Sequence, residues 1–241
     1  MSTITVLREQ PPDYAELSHR IAGAINLTKA PVAVKLFDDP HAVPEGLPRP
    51  TSALYYCAAV GLAMGGETIL MLADDHGCQR GAYMLGVKEA PAAITNGVPY
   101  AKSHMVGSPR AGKRLIEEAP KLAVGSTAAI LLTPLAQTPV DPDVVLFSAT
   151  PHQALQLLNA TNYETGVEIP LRFQILTSFC AYATVLPFQS GRPEATIPQE
   201  QARKRAGFTN EEMLVGIPAE MLQRVADVIV GICCVAPAPE V

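Results

Sequence analysis

Thr127-Ala128-Ala129-Ile130-Leu131-Leu132-Thr133, then Pro139-Val140-Asp141-Pro142-Asp143, then Val144-Val145-Leu146-Phe147-Ser148 is the stretch that decides the fold class. Two apolar, β-branched runs separated by a turn marked with proline and aspartate read as successive strands, close enough to pair antiparallel. Upstream, Val32-Ala33-Val34-Lys35-Leu36-Phe37 and Thr68-Ile69-Leu70-Met71-Leu72 read as further strands. Asp13 caps a helix patterned by Leu17, Ile21 and Ile25. Pro40, Pro44, Pro48 and Pro50 turn the segment after the first strand into a surface loop.

Downstream, Thr150-Pro151 places a capping hydroxyl ahead of proline at the first helical position, and that helix stops at Gly166. Ser178 to Pro187 reads equally as helix or strand, because a continuous apolar run hides its period. Pro198 to Ala206 reads as an amphipathic helix, and Met213-Leu214-Val215-Gly216-Ile217-Pro218 as an edge strand closing on proline. Leu222, Val225, Val228 and Ile229 pattern a final helix. This order predicts an α+β fold, one domain over residues 13–232 with a mixed, largely antiparallel sheet flanked by helices. Residues 1–12 and 237–241 read as flexible ends.

Bulk properties narrow the function. Of 241 residues, 48% are hydrophobic and 17% charged, with mean hydropathy +0.18. A chain this apolar predicts a homo-oligomer that covers part of its surface. A net charge of -5 carries no footprint for nucleic acid, and Arg203-Lys204-Arg205 reads as a solvated helix face. No apolar run reaches the roughly 18 to 20 residues that cross a bilayer, and Met1-Ser2-Thr3-Ile4 does not begin a secretory signal. The expectation is a cytoplasmic protein with no membrane partner. Five cysteines there read as metal ligands, reactive thiols or buried thiols rather than a disulfide framework.

The chemistry gathers around three of them. Cys57 follows Tyr55-Tyr56, Cys78 stands in His76-Gly77-Cys78-Gln79-Arg80-Gly81 at a helix start, and Cys180 lies in the apolar run before Pro187. A helix start offers unpaired N–H groups and a dipole that favour an anion or a thiolate. Three thiolates would suit an iron–sulfur cluster with one open iron, or a transition metal with an open position. The plain alternative is cysteine as a small buried hydrophobe. Gly77, Gly81 and Arg80 form a candidate anion cradle, with Tyr56 and His76 beside it; the competing readings are a glycine-relieved loop with a surface arginine and, for His76, a solvent-exposed loop histidine. Cys233-Cys234 point about 100° apart on a helix and read as packing. Gly107-Ser108-Pro109-Arg110-Ala111-Gly112-Lys113-Arg114 is no phosphate loop, because Arg114 stands where a Mg²⁺-binding hydroxyl must be.

Pro31-Val32-Ala33-Val34-Lys35-Leu36, Tyr55-Tyr56-Cys57 and Gly77-Cys78-Gln79-Arg80-Gly81-Ala82-Tyr83-Met84-Leu85-Gly86 resemble the DUF169 family of bacterial and archaeal proteins. Asp143 to Phe147, Cys180 to Pro187 and Leu214 to Pro218 extend the resemblance over roughly residues 13–232. It implies that Cys57, Cys78 and Cys180 occupy family motif positions and act together. Relatives often carry a further glycine- and cysteine-rich turn after Gly191-Arg192-Pro193, where this chain has Glu194-Ala195-Thr196-Ile197-Pro198. That leaves three thiolates at most, unless Cys233 or Cys234 reaches in. The leading expectation is a metal or iron–sulfur enzyme, its site formed by Cys57, Cys78 and Cys180, acting on or binding a small anionic molecule. The alternatives are a metal-free small-molecule binding or regulatory protein and a thiol enzyme using Cys78.

Overall fold

A computed structural model describes residues 12–233. The strands are β1 (Val32–Phe37), β2 (Ile69–Leu72), β3 (Ala129–Pro134), β4 (Val144–Ala149), β5 (Leu171–Arg172), β6 (Glu194–Thr196) and β7 (Met213–Pro218). The first six helices are α1 (Tyr14–Ala24), α2 (Tyr56–Met64), α3 (Gln79–Met84), α4 (Ala92–Thr95), α5 (Val98–Lys102) and α6 (Pro109–Glu117). After them come α7 (Pro151–Asn162), a π-helix over Ser178–Val185, α8 (Leu186–Ser190), α9 (Glu200–Ala206) and α10 (Leu222–Cys233). The strands make one sheet in the order β2-β3-β1-β4-β7-β6-β5. Every pairing is antiparallel except β5 with β6, which gives the expected α+β class with its mixed sheet.

Two expectations about the sheet are corrected. β3 and β4 do not pair; β1 lies between them, and since both are antiparallel to β1 they run the same way. The crossover is short because β3 ends opposite Val32 while β4 begins opposite Val34, so the connecting chain regains only two residues of height. β7 is not an edge strand, for β4 and β6 flank it. Its proline is tolerated because Pro218 is the last residue of the strand.

Strand side chains alternate between faces, and here both faces are buried, so β1, β3, β4 and β7 are nearly continuous apolar runs. On one face Val32, Val34, Ile130, Leu132, Val144, Leu146 and Leu214 pack with residues of α2, α3 and the π-helix. On the other Ala33, Val145, Phe147, Val215 and Ile217 pack with α1, α7 and α10. The helices of this second face begin as the residues dictate. Asp13 accepts the Glu16 N–H, and Thr150 and Gln153 form a reciprocal capping box ahead of Pro151. Ser108 likewise caps α6, so the glycine-rich tract there is an ordinary helix start.

Two glycines set the first face. A Cβ on Gly216 would lie 2.0 Å from the Ala183 carbonyl oxygen, so the π-helix rests directly on the β7 backbone. A Cβ on Gly61 would lie 2.7 Å from the Ala206 backbone, so α2 and α9 touch through their main chains. These approaches fix the π-helix against β7 and α9 against α2. No helix among the described residues is long and apolar enough to cross a membrane.

Candidate functional site

Four helical segments begin around one pocket on the first face. Tyr55 precedes α2, Cys78 caps α3, Thr177 precedes the π-helix and Gln199 precedes α9. Helix starts expose N–H groups without intrahelical partners, so this grouping creates positive potential before any side chain is counted. The pocket holds about 410 Å³ of empty space, its open mouth included, of which about 40 Å³ is wide enough to admit water.

Cys57, Cys78 and Cys180 all line it, although they lie on α2, at the start of α3 and in the π-helix. The Gly81 N–H donates to Cys78 Sγ at 3.3 Å, and the Cys180 thiol lies 3.7 Å from the Thr177 carbonyl it donates to. Burial pushes the Cys57 thiol up to about 11, reinforced by Cys78 and opposed by Arg205. Burial also pushes Cys180 up to about 12, reinforced by Cys78 and Cys57 and opposed by Arg80. Cys78 thus bears on both of the others, and Cys57 on Cys180. At neutral pH Cys57 and Cys180 are protonated.

Two arginines complete the wall. Arg80 is largely withdrawn from solvent, with its Cζ 5.5 Å from the Tyr100 ring centre. Burial opposes its charge, but Tyr100, Cys78 and Cys180 outweigh burial and keep its pKa above the usual value. Arg205 is exposed, and its Cζ stacks 4.0 Å from the Tyr55 ring centre at the rim. Among the described residues neither arginine has a carboxylate within ion-pair distance. Tyr56 is committed elsewhere: its hydroxyl lies 2.9 Å from Thr184 Oγ1, which donates to the Phe179 carbonyl at 2.8 Å. That chain ties α2 to the π-helix.

The π-helix is the unresolved apolar run of the sequence, and its period is neither of the two anticipated. Ala181 and Tyr182 both donate to the Thr177 carbonyl, at 2.9 and 3.3 Å. Thr177 stands at φ 63°, a left-handed conformation that a β-branched residue rarely adopts. Wide helical turns and non-glycine left-handed residues both concentrate at functional sites. Beside it, Ser178 is 1% exposed and its hydroxyl has no hydrogen-bond partner among the described residues.

Of the residues singled out in the sequence, Tyr56, Cys57, Cys78, Arg80, Gly81 and Cys180 line the pocket; Gly77 and His76 do not. Gly77 and His76 instead pack with residues 53–54, where Gly77 N–H donates to the Leu54 carbonyl at 2.7 Å and His76 bridges to Leu54. His76 is not an exposed loop residue. It is 5% exposed, and burial, together with Lys88, lowers its pKa to about 4 although Asp75 opposes the shift. Arg205 was read as a solvated charge, yet α9 delivers it to the rim while its neighbour Arg203 donates to the Glu212 carbonyl at 2.8 Å. Tyr55 of the Tyr55-Tyr56-Cys57 tract also lines the wall, as do Thr177, Ser178, Phe179, Gln199 and Ala202, which no sequence motif marks.

Whether the sulfurs suit a metal follows from the same geometry. Among the described residues no group of three or more His, Cys, Asp or Glu side chains is arranged to hold a metal ion. The three thiols share a pocket without forming a closed ligand set. Cys234 and the side chain of Cys233 lie outside the described residues.

No solved structure matches the chain. An uncharacterized protein of Methanocaldococcus jannaschii, MJ0308, is 28% identical over 219 residues, which cover 90% of this chain and 94% of that relative. The model of the DUF169 family, described as uncharacterised ArCR, matches residues 20–228, and with the cysteine, glycine and arginine blocks it spans now seen to share a fold and a pocket, this chain belongs to the DUF169 family.

Proposed function

We propose that the pocket binds a small anionic molecule between Arg80 and Arg205, in contact with the three cysteines. The observation that carries this reading is Arg80, a half-buried guanidinium without an ion-pair partner among the described residues, at a junction of helix starts. Burial works against a charge held there without a carboxylate beside it. A bound anion offsets that cost and meets a pocket lined by residues at four helix starts. Thermal shift and calorimetric titration with a panel of small anions test this. Wild type should be stabilised with rising ligand concentration, and Arg80→Met should lose at least about tenfold in affinity, the weight of one charged hydrogen bond. A panel without any stabilising anion overturns the reading.

A second reading keeps the metal. Three cysteines from three separate segments line one pocket, and loss of two or three protons would turn them into soft ligands flanked by two arginines that balance thiolate charge. The thiols would have to draw closer than they stand, since no metal-holding group is formed among the described residues. If bound, an iron–sulfur cluster or transition metal would supply an open coordination position, and Arg80 would orient the anion beside it. Anaerobic purification with elemental analysis and a visible spectrum separates the readings. Colourless, metal-free protein that still binds an anion leaves the first alone.

A further inference from the structure

Val167-Glu168-Ile169-Pro170-Leu171-Arg172-Phe173-Gln174-Ile175 alternates apolar residues with polar residues or proline over nine positions. Such alternation is the pattern of a strand with one covered face. Here the apolar row is not covered. Val167 is 46% exposed, Leu171 57%, Phe173 78% and Ile175 42%, four of the eleven exposed large hydrophobic residues among those described. Single apolar groups scattered over a surface are ordinary, but a row of them in one short strip marks a contact surface.

The strip lies where the sheet ends. β5 is the last strand in the order, with β6 on one side and no strand on the other among the described residues. Leu171 is in register with Ala195, which packs into the second face, so the apolar row continues that face past its covering helices. Arg172, in register with Thr196, turns to the first face, where its Nε donates to Glu194 Oε1 at 3.0 Å. An apolar row on an open sheet edge is a template for a further strand.

The strip is complementary to itself. Two copies laid antiparallel about a two-fold axis through Pro170 set Val167 opposite Phe173, Ile169 opposite Leu171 and Glu168 opposite Arg172. An axis through Leu171 sets Glu168 opposite Gln174, one through Ile169 sets it opposite Pro170, and one through Arg172 brings two arginines together. Charge therefore selects the axis at Pro170. Proline has no N–H, and it suits an antiparallel pair that exchanges no hydrogen bonds. The four exposed side chains present roughly 400 Å² of apolar surface, so two strips bury roughly 800 Å² before main chain and flanking residues are added, which brings the ~1,200 Å² of a stable interface within reach.

We infer that β5 and the residues flanking it are a dimer surface, covered by the same strip of a second copy of this chain about a two-fold axis at Pro170. The two sheets then join edge to edge, and the apolar row is buried on both copies.

Sedimentation of the full chain across a concentration series tests this, with wild type, Phe173→Glu and Glu168→Arg compared. Wild type should sediment at twice 25.6 kDa. Phe173→Glu should weaken the dimer at least about a hundredfold, since the change falls on the interface twice. Phe173 is exposed, so the variant keeps its fold, which circular dichroism checks. Glu168→Arg sets like charges opposite each other and should weaken the dimer about tenfold. The axis is tested by mild oxidation. Pro170→Cys places two thiols face to face and should give a covalent dimer beyond the wild-type level. Glu168→Cys places them four residues apart, roughly 13 Å, and should not. A wild type that stays monomeric at about 100 μM overturns the inference and leaves the strip to a different partner. So does a dimer that Phe173→Glu leaves intact, or a Pro170→Cys protein that forms no more covalent dimer than wild type.

Discussion

The two faces of the sheet are built by opposite rules. On the second face, α1, α7 and α10 are regular helices, α1 and α7 start with capping side chains, and the strands present mostly apolar side chains to them. On the first face, close backbone contacts at Gly61 and Gly216 add to the side-chain packing, a π-helix replaces an α-helix, and a threonine adopts a left-handed conformation. Among the described residues His76, Ser178, Glu194 and Thr196 also keep buried polar atoms without partners there, against Arg224 Nε on the second face. Local departures that reduce stability persist where something else depends on them. Their concentration around three cysteines and Arg80 separates a face that holds the fold from a face that holds a site.

The strongest way to break that contrast lies in two adjacent residues of β7, which point to opposite faces. Gly216→Ala drives a methyl to 2.0 Å from the Ala183 carbonyl, so the π-helix must lift from the sheet. This should cost at least about 3 kcal/mol, at the upper end for overpacking, and abolish anion binding. Val215→Ala removes apolar volume from the second face, where Val215 is fully buried, and should cost about 2 kcal/mol without affecting binding. Urea unfolding and titration of both variants check this. Loss of binding in Val215→Ala would erase the division of labour.

A smaller effect, tunable by pH, comes from His76. Its folded pKa of about 4 lies below the ordinary 6.5, so the unfolded chain takes up the proton first as pH falls. Stability from this residue is fully present above pH 6.5 and declines toward pH 4, by about 1 kcal/mol per pH unit and about 3 kcal/mol in all. His76→Gln should flatten that part of the stability profile. An unchanged slope in the variant would mean that the imidazole titrates normally in the folded protein.

The sequence was most legible on the second face. Asp13, Thr150-Pro151 and the apolar repeat of the last helix each express a local rule that nothing in the tertiary structure opposes. Strand positions were also legible, but their neighbours were not. An interposed β1 leaves no mark in the 135–143 connection, because the stagger that shortens the crossover exists only in the assembled sheet. At the site, Cys57, Cys78, Arg80 and Cys180 could be named in advance because their residue types announce chemistry. Ser178 and Arg205 could not. A serine in an apolar run and an arginine on a charged helix become informative only once burial and orientation are known. His76 misled for the same reason, since a glycine beside a histidine suggests an exposed loop, whereas here the glycine permits tight packing against residues 53–54.

The finest probe applies one substitution to both faces. Thr161 lies in the last turn of α7, 2% exposed, with its hydroxyl donating to the Leu158 carbonyl at 2.7 Å. Thr161→Gly removes buried side-chain volume and loosens a helix, and should cost about 1–2 kcal/mol. Thr177→Gly relieves a β-branched residue at φ 63°, a conformation that glycine adopts freely. That gain is offset by the larger entropy of the unfolded glycine and by the loss of the hydroxyl contact with the Leu176 carbonyl at 2.6 Å. The net change should stay within about 1 kcal/mol of zero. Denaturant midpoints measured side by side decide it. Equal losses at the two threonines would show that the left-handed turn is not strained, and the first face would no longer differ from the second in holding stored strain beside its pocket.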